Sequence, residues 1–187
     1  MVSTLCAAAA TAADARVPLA YRGCIAAGEL AVSGSFFVGE AIDEAATWHE
    51  KADAAITWVT PSARASASLD PSIYLMEWPV PLKSGGAVRC LTVNPFWIEP
   101  IAGAALEGGD VTTEIDELAE RLRVPFASSA EVDVVRKRQL TEDFLSEARS
   151  YTLSRIPEEA AAYEQERYEN EFGSDGAGKD PNAQPGG

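Results

Sequence analysis

The sequence predicts an α/β (α+β) domain, a mixed sheet with helices packed on one side, and three observations carry that prediction. Apolar runs of strand length alternate with stretches of helical spacing in the first half. Two strand-like runs flank a turn rich in proline and glycine, as an antiparallel hairpin requires. Amphipathic helical spacing then dominates the second half. The 187 residues, 47% hydrophobic and 24% charged, suit one globular domain with a real core.

Taken in order, Leu5 to Ala15 is alanine-rich and of good helix propensity. Val17 to Val32 is almost continuously apolar, broken by Gly23 and Gly28, which predicts a strand buried on both faces. SGSFFVG reads as a turn and a short strand ending at Gly39. From Glu40 the spacing is helical, with Ile42, Ala45, Ala46, His49 and Ala52 on one stripe. AITWVT, stopped by Pro61, is a second buried strand, and Ser62 to Pro71 is a helix or loop of small residues. IYLMEW and VRCLTV flank PVPLKSGG as a hairpin, and Pro79 and Pro81 make its first arm a poor central strand.

Ile98 to Asp110 reads as a loop, and a helix begins near Thr113 with Ile115, Leu118, Ala119 and Leu122 on one face. A longer helix follows, opened by a capping box of Ser128 and Glu131, with a stripe of Val132, Val135, Leu140, Phe144, Ala148 and Tyr151. The predicted organisation is residues 1–156 as the domain and 157–187 as an acidic, largely disordered tail. The start of that tail is a charged helix, and GSDGAGKDPNAQPGG is its unanchored end.

The net charge of −14 is spread over both halves, so nucleic acids and anionic membranes are not expected partners. Cys6, Cys24 and Cys90 are odd in number and form no C-x-x-C pair, which suits a reduced, cytoplasmic setting better than disulfides or zinc. The alanine-rich opening lacks a basic n-region and a strong apolar core, so it does not read as a signal peptide. No 18-residue apolar run is present to cross a membrane.

One block carries a resemblance. R-G-C-I-A-A-G at Arg22 to Gly28, a short strand ending in glycine, then G-E-A-I-D-E-A-A-T at Gly39 to Thr47 and a further strand resemble the class III nucleotide cyclase family. The resemblance is strong over Tyr21 to Ala63 and extends weakly through VPLKSGGAVRCLTVNPF. It implies a ferredoxin-like, nucleotide cyclase-like sheet of which these residues match the second half, and domains that meet as homo- or hetero-dimers. With the first half of the pattern unmatched, upstream sequence or a partner chain is expected to complete the sheet.

Cyclisation needs two metal ions on paired carboxylates, a cation for the transition state and a polar group to hold the ribose. In the family the metal carboxylates precede the R-x-G-I strand, where this chain has only Asp14. The family's ribose-positioning Asn falls on Asp43, its transition-state Arg on Thr47, and its base-selecting position on Phe36. Nucleotide-binding candidates are therefore Phe36, Gly39 and Asp43, with Asp43 and Thr47 in degenerate catalytic positions. No cofactor is expected from this chain, and Mg²⁺ or Mn²⁺ only where a partner completes the site. The implied function is a catalytically silent domain that acts through association or senses a purine nucleotide. The alternatives are part of an active purine nucleotide cyclase and a non-enzymatic adaptor.

Other signals have plainer readings. His49, the single histidine, has no G-x-S-x-G elbow to serve and reads as a partly buried helix residue. GAALEGGD has phosphate-loop glycines but Gly-Asp where Lys-Ser/Thr is needed, so it is a loop. Glu40, Asp43 and Glu44 suit the helix dipole. Trp48, Trp58, Trp78 and Trp97 lie on separate elements and read as core rather than as a ligand cage. Arg136 to Arg138 is a solvated helix face pairing with Glu131, Glu142 and Asp143, and Cys24 is a small buried group.

Overall fold

A computed structural model describes residues 20–126 and 130–172. Strand β1 (Gly23–Ile25) is followed by a ribbon of β2 (Ala31–Ser33) and β3 (Phe36–Val38), helix α1 (Glu40–His49), strand β4 (Thr57–Val59) and short helix α2 (Pro61–Ser66). Strands β5 (Leu75–Pro81) and β6 (Ala87–Val93) precede α3 (Glu99–Leu106), α4 (Thr112–Arg123), a 3₁₀ turn (Val124–Phe126) and the long α5 (Val132–Phe172). The main sheet has the order β1-β4-β6-β5, and β2 and β3 form a separate antiparallel pair.

The sheet is mixed. β1 and β4 run parallel, with Gly23 opposite Thr57 and Ile25 opposite Val59, while β4–β6 and β5–β6 are antiparallel. A parallel pair needs a crossover, and here the ribbon and α1 supply it. The β5–β6 hairpin is in register from Leu75–Val93 to Pro81–Ala87, so the predicted turn contributes its prolines to the first arm. That arm is a sheet edge, where Pro79 and Pro81 leave no ladder donor missing from a neighbour.

Cross-strand register places Cys24, Trp58, Thr92, Met76, Trp78 and Cys90 on one face of the sheet. Both α1 and α5 cover that face: Trp48 meets Trp58 with ring centroids 5.0 Å apart, and Phe144 meets Trp78 edge-on at 5.1 Å. Glu77 alternates to the other face of β5 and pairs with Arg64 of α2 at 2.8 Å, so the helices are not confined to one side. Trp58, Phe96, Ile115 and Leu118 are among the largest fully buried side chains. Each such burial contributes about 1.5–3 kcal/mol.

Helix α5 is fastened along about its first six turns. Arg136 pairs with the buried Asp53 at 3.0 Å, and Thr141 Oγ1 accepts the Ala55 amide at 3.0 Å. The Tyr151 hydroxyl donates to the Ser72 carbonyl at 3.0 Å. Thr152 and Asn94 are both fully buried; Asn94 Nδ2 donates to the Ile73 carbonyl at 2.7 Å and to Thr152 Oγ1 at 2.8 Å. These bonds satisfy polar groups that would otherwise be costly inside the core.

Several expectations are corrected. Val17 to Val32 is not one buried strand: its described part gives the three-residue β1 and the wholly exposed β2. Ile98 to Asp110 is not a loop, because Glu99–Leu106 is helical with Pro100 in its first turn, where proline's missing donor is harmless. The half-buried residues of α1 are Ala41, Glu44, Ala45, Trp48 and His49, so Ala45 and His49 of the predicted stripe face inward while Ile42 and Ala46 point outward. In α5 Val132 and Val135 are exposed, and Thr141, Leu145 and Thr152 join Phe144 and Ala148 inside. Arg136 pairs with Asp53 of the sheet side rather than with its own helix, whereas Arg138 reaches Glu142 at 3.8 Å as expected. Pro157 does not end α5, which continues to Phe172. The Leu5–Ala15 helix, Cys6, the Ser128 cap and the 173–187 segment lie outside the described residues.

Candidate functional site

Phe36, Gly39, Asp43 and Thr47 fall along the junction between the β2–β3 ribbon and α1. The junction is built on two glycines. Gly39 has φ +143°, and a Cβ there would lie 2.2 Å from the Glu29 carbonyl oxygen. A Cβ on Gly28 would lie 3.1 Å from the Ala41 amide nitrogen. The β1–β2 loop therefore crosses the start of α1 at a distance only hydrogen side chains permit. The Gly39 carbonyl then accepts the Ile42 and Asp43 amides at 3.0 and 3.1 Å, which starts the helix.

Above this junction the ribbon is open. All six residues of β2 and β3 are exposed, Phe36 at 75% and Phe37 at 55%. With aromatic side chains of about 200 Å² each, these two phenylalanines present roughly 250 Å² of apolar surface. Leu30, Val32 and Val38 are exposed as well. An apolar patch of several hundred Å² marks a contact surface. From Gly28 to Gly39 the only charge is Glu29, so the ribbon is nearly neutral on a strongly acidic chain.

The polar groups on α1 are arranged for helix geometry rather than for phosphate. Glu40 and Asp43 occupy its first turn, which carries negative charge to the place a polyphosphate would approach. Thr47 Oγ1 donates to the Asp43 carbonyl at 2.8 Å, and the Asp43 side chain is exposed. Glu44 points inward and accepts a hydrogen bond from Ser62, which also bonds Thr60 at 3.0 Å. Arg22 turns away from the ribbon: its Nη1 donates to the Ala52 carbonyl at 3.2 Å. Cys24 Sγ donates to the Ala45 carbonyl at 3.2 Å, and burial, helped by the Glu44 charge, raises the thiol pKa. A raised pKa keeps it a thiol and a poor nucleophile.

Remaining candidates resolve as structure. His49 Nδ1 lies 2.8 Å from the Ala46 carbonyl and its Nε2 lies 3.8 Å from the carboxylate of the neighbouring Glu50, so its contacts are local to the end of α1. Gly103 to Leu106 forms the last turn of α3. Trp58 and Trp78 are core, Trp48 is half-buried beneath the Lys51 ammonium at 5.1 Å, and Trp97 is buried. Among the described residues no three of His, Cys, Asp and Glu converge as metal ligands. None of their helices is long and apolar enough to cross a membrane.

One gathering of residues has no signal in the linear sequence. Tyr74, Trp97 and Tyr163 come from three distant segments and, with Glu159 and Glu166, line a separate cavity. Only the fold brings them together. Comparison with family models, with curated proteins and with solved structures finds no match.

Proposed function

We infer that this chain is a catalytically silent nucleotide cyclase-like domain that acts in signalling by associating with another such domain, through the β2–β3 ribbon. The observation that carries the reading is the ribbon itself: all six of its ladder residues, two of them phenylalanines, are exposed on a separate two-stranded pair. A lone two-stranded ribbon is marginal in water and gains stability by acquiring a neighbour. The order strand, ribbon, helix, parallel strand supports the cyclase-like part of the reading, as does the close glycine junction at Gly28 and Gly39. Asp43 and Thr47 support silence, since neither supplies a cation to a polyphosphate. A cytoplasmic setting goes with this role.

Sedimentation velocity over about 1–100 μM tests the association, a range that spans association free energies of about −8 to about −5.5 kcal/mol. The wild-type chain is expected to self-associate with concentration, and the double variant F36S/F37S to remain monomeric with an unchanged melting temperature. A wild-type chain that stays monomeric throughout would remove the self-associating form of the proposal. In parallel, incubation with ATP or GTP and Mn²⁺ is expected to give no cyclic product, and turnover by the chain alone would refute silence.

A further inference from the structure

The cavity between the β5 approach and α5 has a composition that nothing in the ribbon reading uses. Tyr74 precedes β5, Trp97 follows β6, and Glu159, Tyr163 and Glu166 occupy one stripe of α5, four and three residues apart. Leu106, at the end of α3, closes the side of a space of about 260 Å³. Trp97 is buried, while Tyr74 and Tyr163 are exposed at 41% and 43%. Glu159 is partly balanced by Arg155 at 3.9 Å, but Glu166 forms no ion pair with a described residue.

We propose that this cavity binds a guanidinium group. Three aromatic side chains and two carboxylates around one small space attract a cation and repel an anion. An apolar ligand would strip water from the carboxylates without replacing its hydrogen bonds. A primary ammonium is compact and strongly hydrated, which aromatic walls do not compensate. Guanidinium is planar and weakly hydrated, stacks on aromatic rings and donates a fork of N–H groups to a carboxylate. Tyr163 between Glu159 and Glu166 offers both kinds of contact on a single helix face. The group could be carried by free arginine or by an arginine side chain of a peptide. The cavity and the ribbon lie on different elements, so the guanidinium site does not depend on the cyclase-like reading.

Isothermal titration of the full chain tests it, with N-acetyl-arginine amide, an arginine-containing peptide and tetramethylammonium as probes. Saturable binding of the arginine probes is expected, weakened about tenfold or more in Glu166→Gln by loss of a charge-assisted hydrogen bond. Tyr163→Leu is expected to weaken it similarly. Melting curves of both variants check that the fold is kept, and Glu166, being exposed, leaves it intact. Tighter binding of the peptide assigns the group to a protein side chain, and equal binding assigns it to the free compound; either supports the site. No saturable binding up to about 10 mM, an unchanged affinity in Glu166→Gln, or tetramethylammonium binding as tightly as the arginine probes would overturn it.

Discussion

At the scale of single residues, Gly39 has the tightest surroundings of the described glycines. Its φ of +143° disfavours any L side chain, and a Cβ would collide with the Glu29 carbonyl oxygen, part of the backbone that cannot swing aside. Gly39→Ala is therefore expected to cost about 3 kcal/mol or more, from backbone strain and overpacking together. Urea denaturation should show it as a lower midpoint at an unchanged slope. A change below about 0.5 kcal/mol would mean that the loop does not press on the helix as described. The glycine was legible in the sequence as the residue between strand and helix. Its reason was not, because Glu29 is ten residues away and only the fold brings its carbonyl there. Asp43 and Thr47 were legible in the same limited way: their chemistry could be read, but the Thr47 hydrogen bond to the Asp43 carbonyl depends on the helix being formed.

At the scale of elements, α5 is the strap across the sheet. Burial raises the pKa of the Tyr151 hydroxyl, which donates to the Ser72 carbonyl. Unfolded tyrosine loses its proton near pH 10, so between that value and the raised one the folded chain holds the extra proton. Its contribution is fully present below pH ~10 and is lost as pH rises through the folded value. Tyr151→Phe should destabilise by about 1 kcal/mol near neutrality, with the gap to wild type narrowing above pH ~10. Chemical denaturation across that range measures it, and a constant gap would discount the titration. Elements governed by local chemistry were legible. PVPLKSGG announced a hairpin, and Ile115, Leu118 and Ala119 announced the buried face of α4. Elements whose local signals are overridden were not. The run from Val17 looked buried because it is apolar, yet its β2 part is exposed. Proline marked a boundary at Pro157, yet the helix passes through it. Glycines made a loop of α3, yet Ile101 and Ala105 are buried on its inner face.

At the scale of the whole molecule, the excess of 29 acidic over 15 basic residues is the dominant long-range term. Surface ion pairs such as Arg149 with Asp116 contribute little and are weakened by salt. Self-repulsion of a −14 chain is the larger effect. Raising NaCl from about 0.02 to about 0.5 M shortens the Debye length from about 20 Å to about 4 Å. The melting temperature is accordingly expected to rise by a few degrees, and a fall on calorimetry would mean that specific ion pairs outweigh net charge. The three-residue pairing of β1 with β4 has a kinetic meaning beyond its place in the sheet. It closes a loop through the ribbon and α1, whereas the seven-rung β5–β6 ladder closes over a short turn. Local pairings form early and distant ones late. The β5–β6 hairpin is thus expected to form early, and β1 to dock last and leave first. Each time β1 leaves, the backbone of β4 is uncovered for a moment, and the chain offers a vacant strand berth at the same end that carries the ribbon.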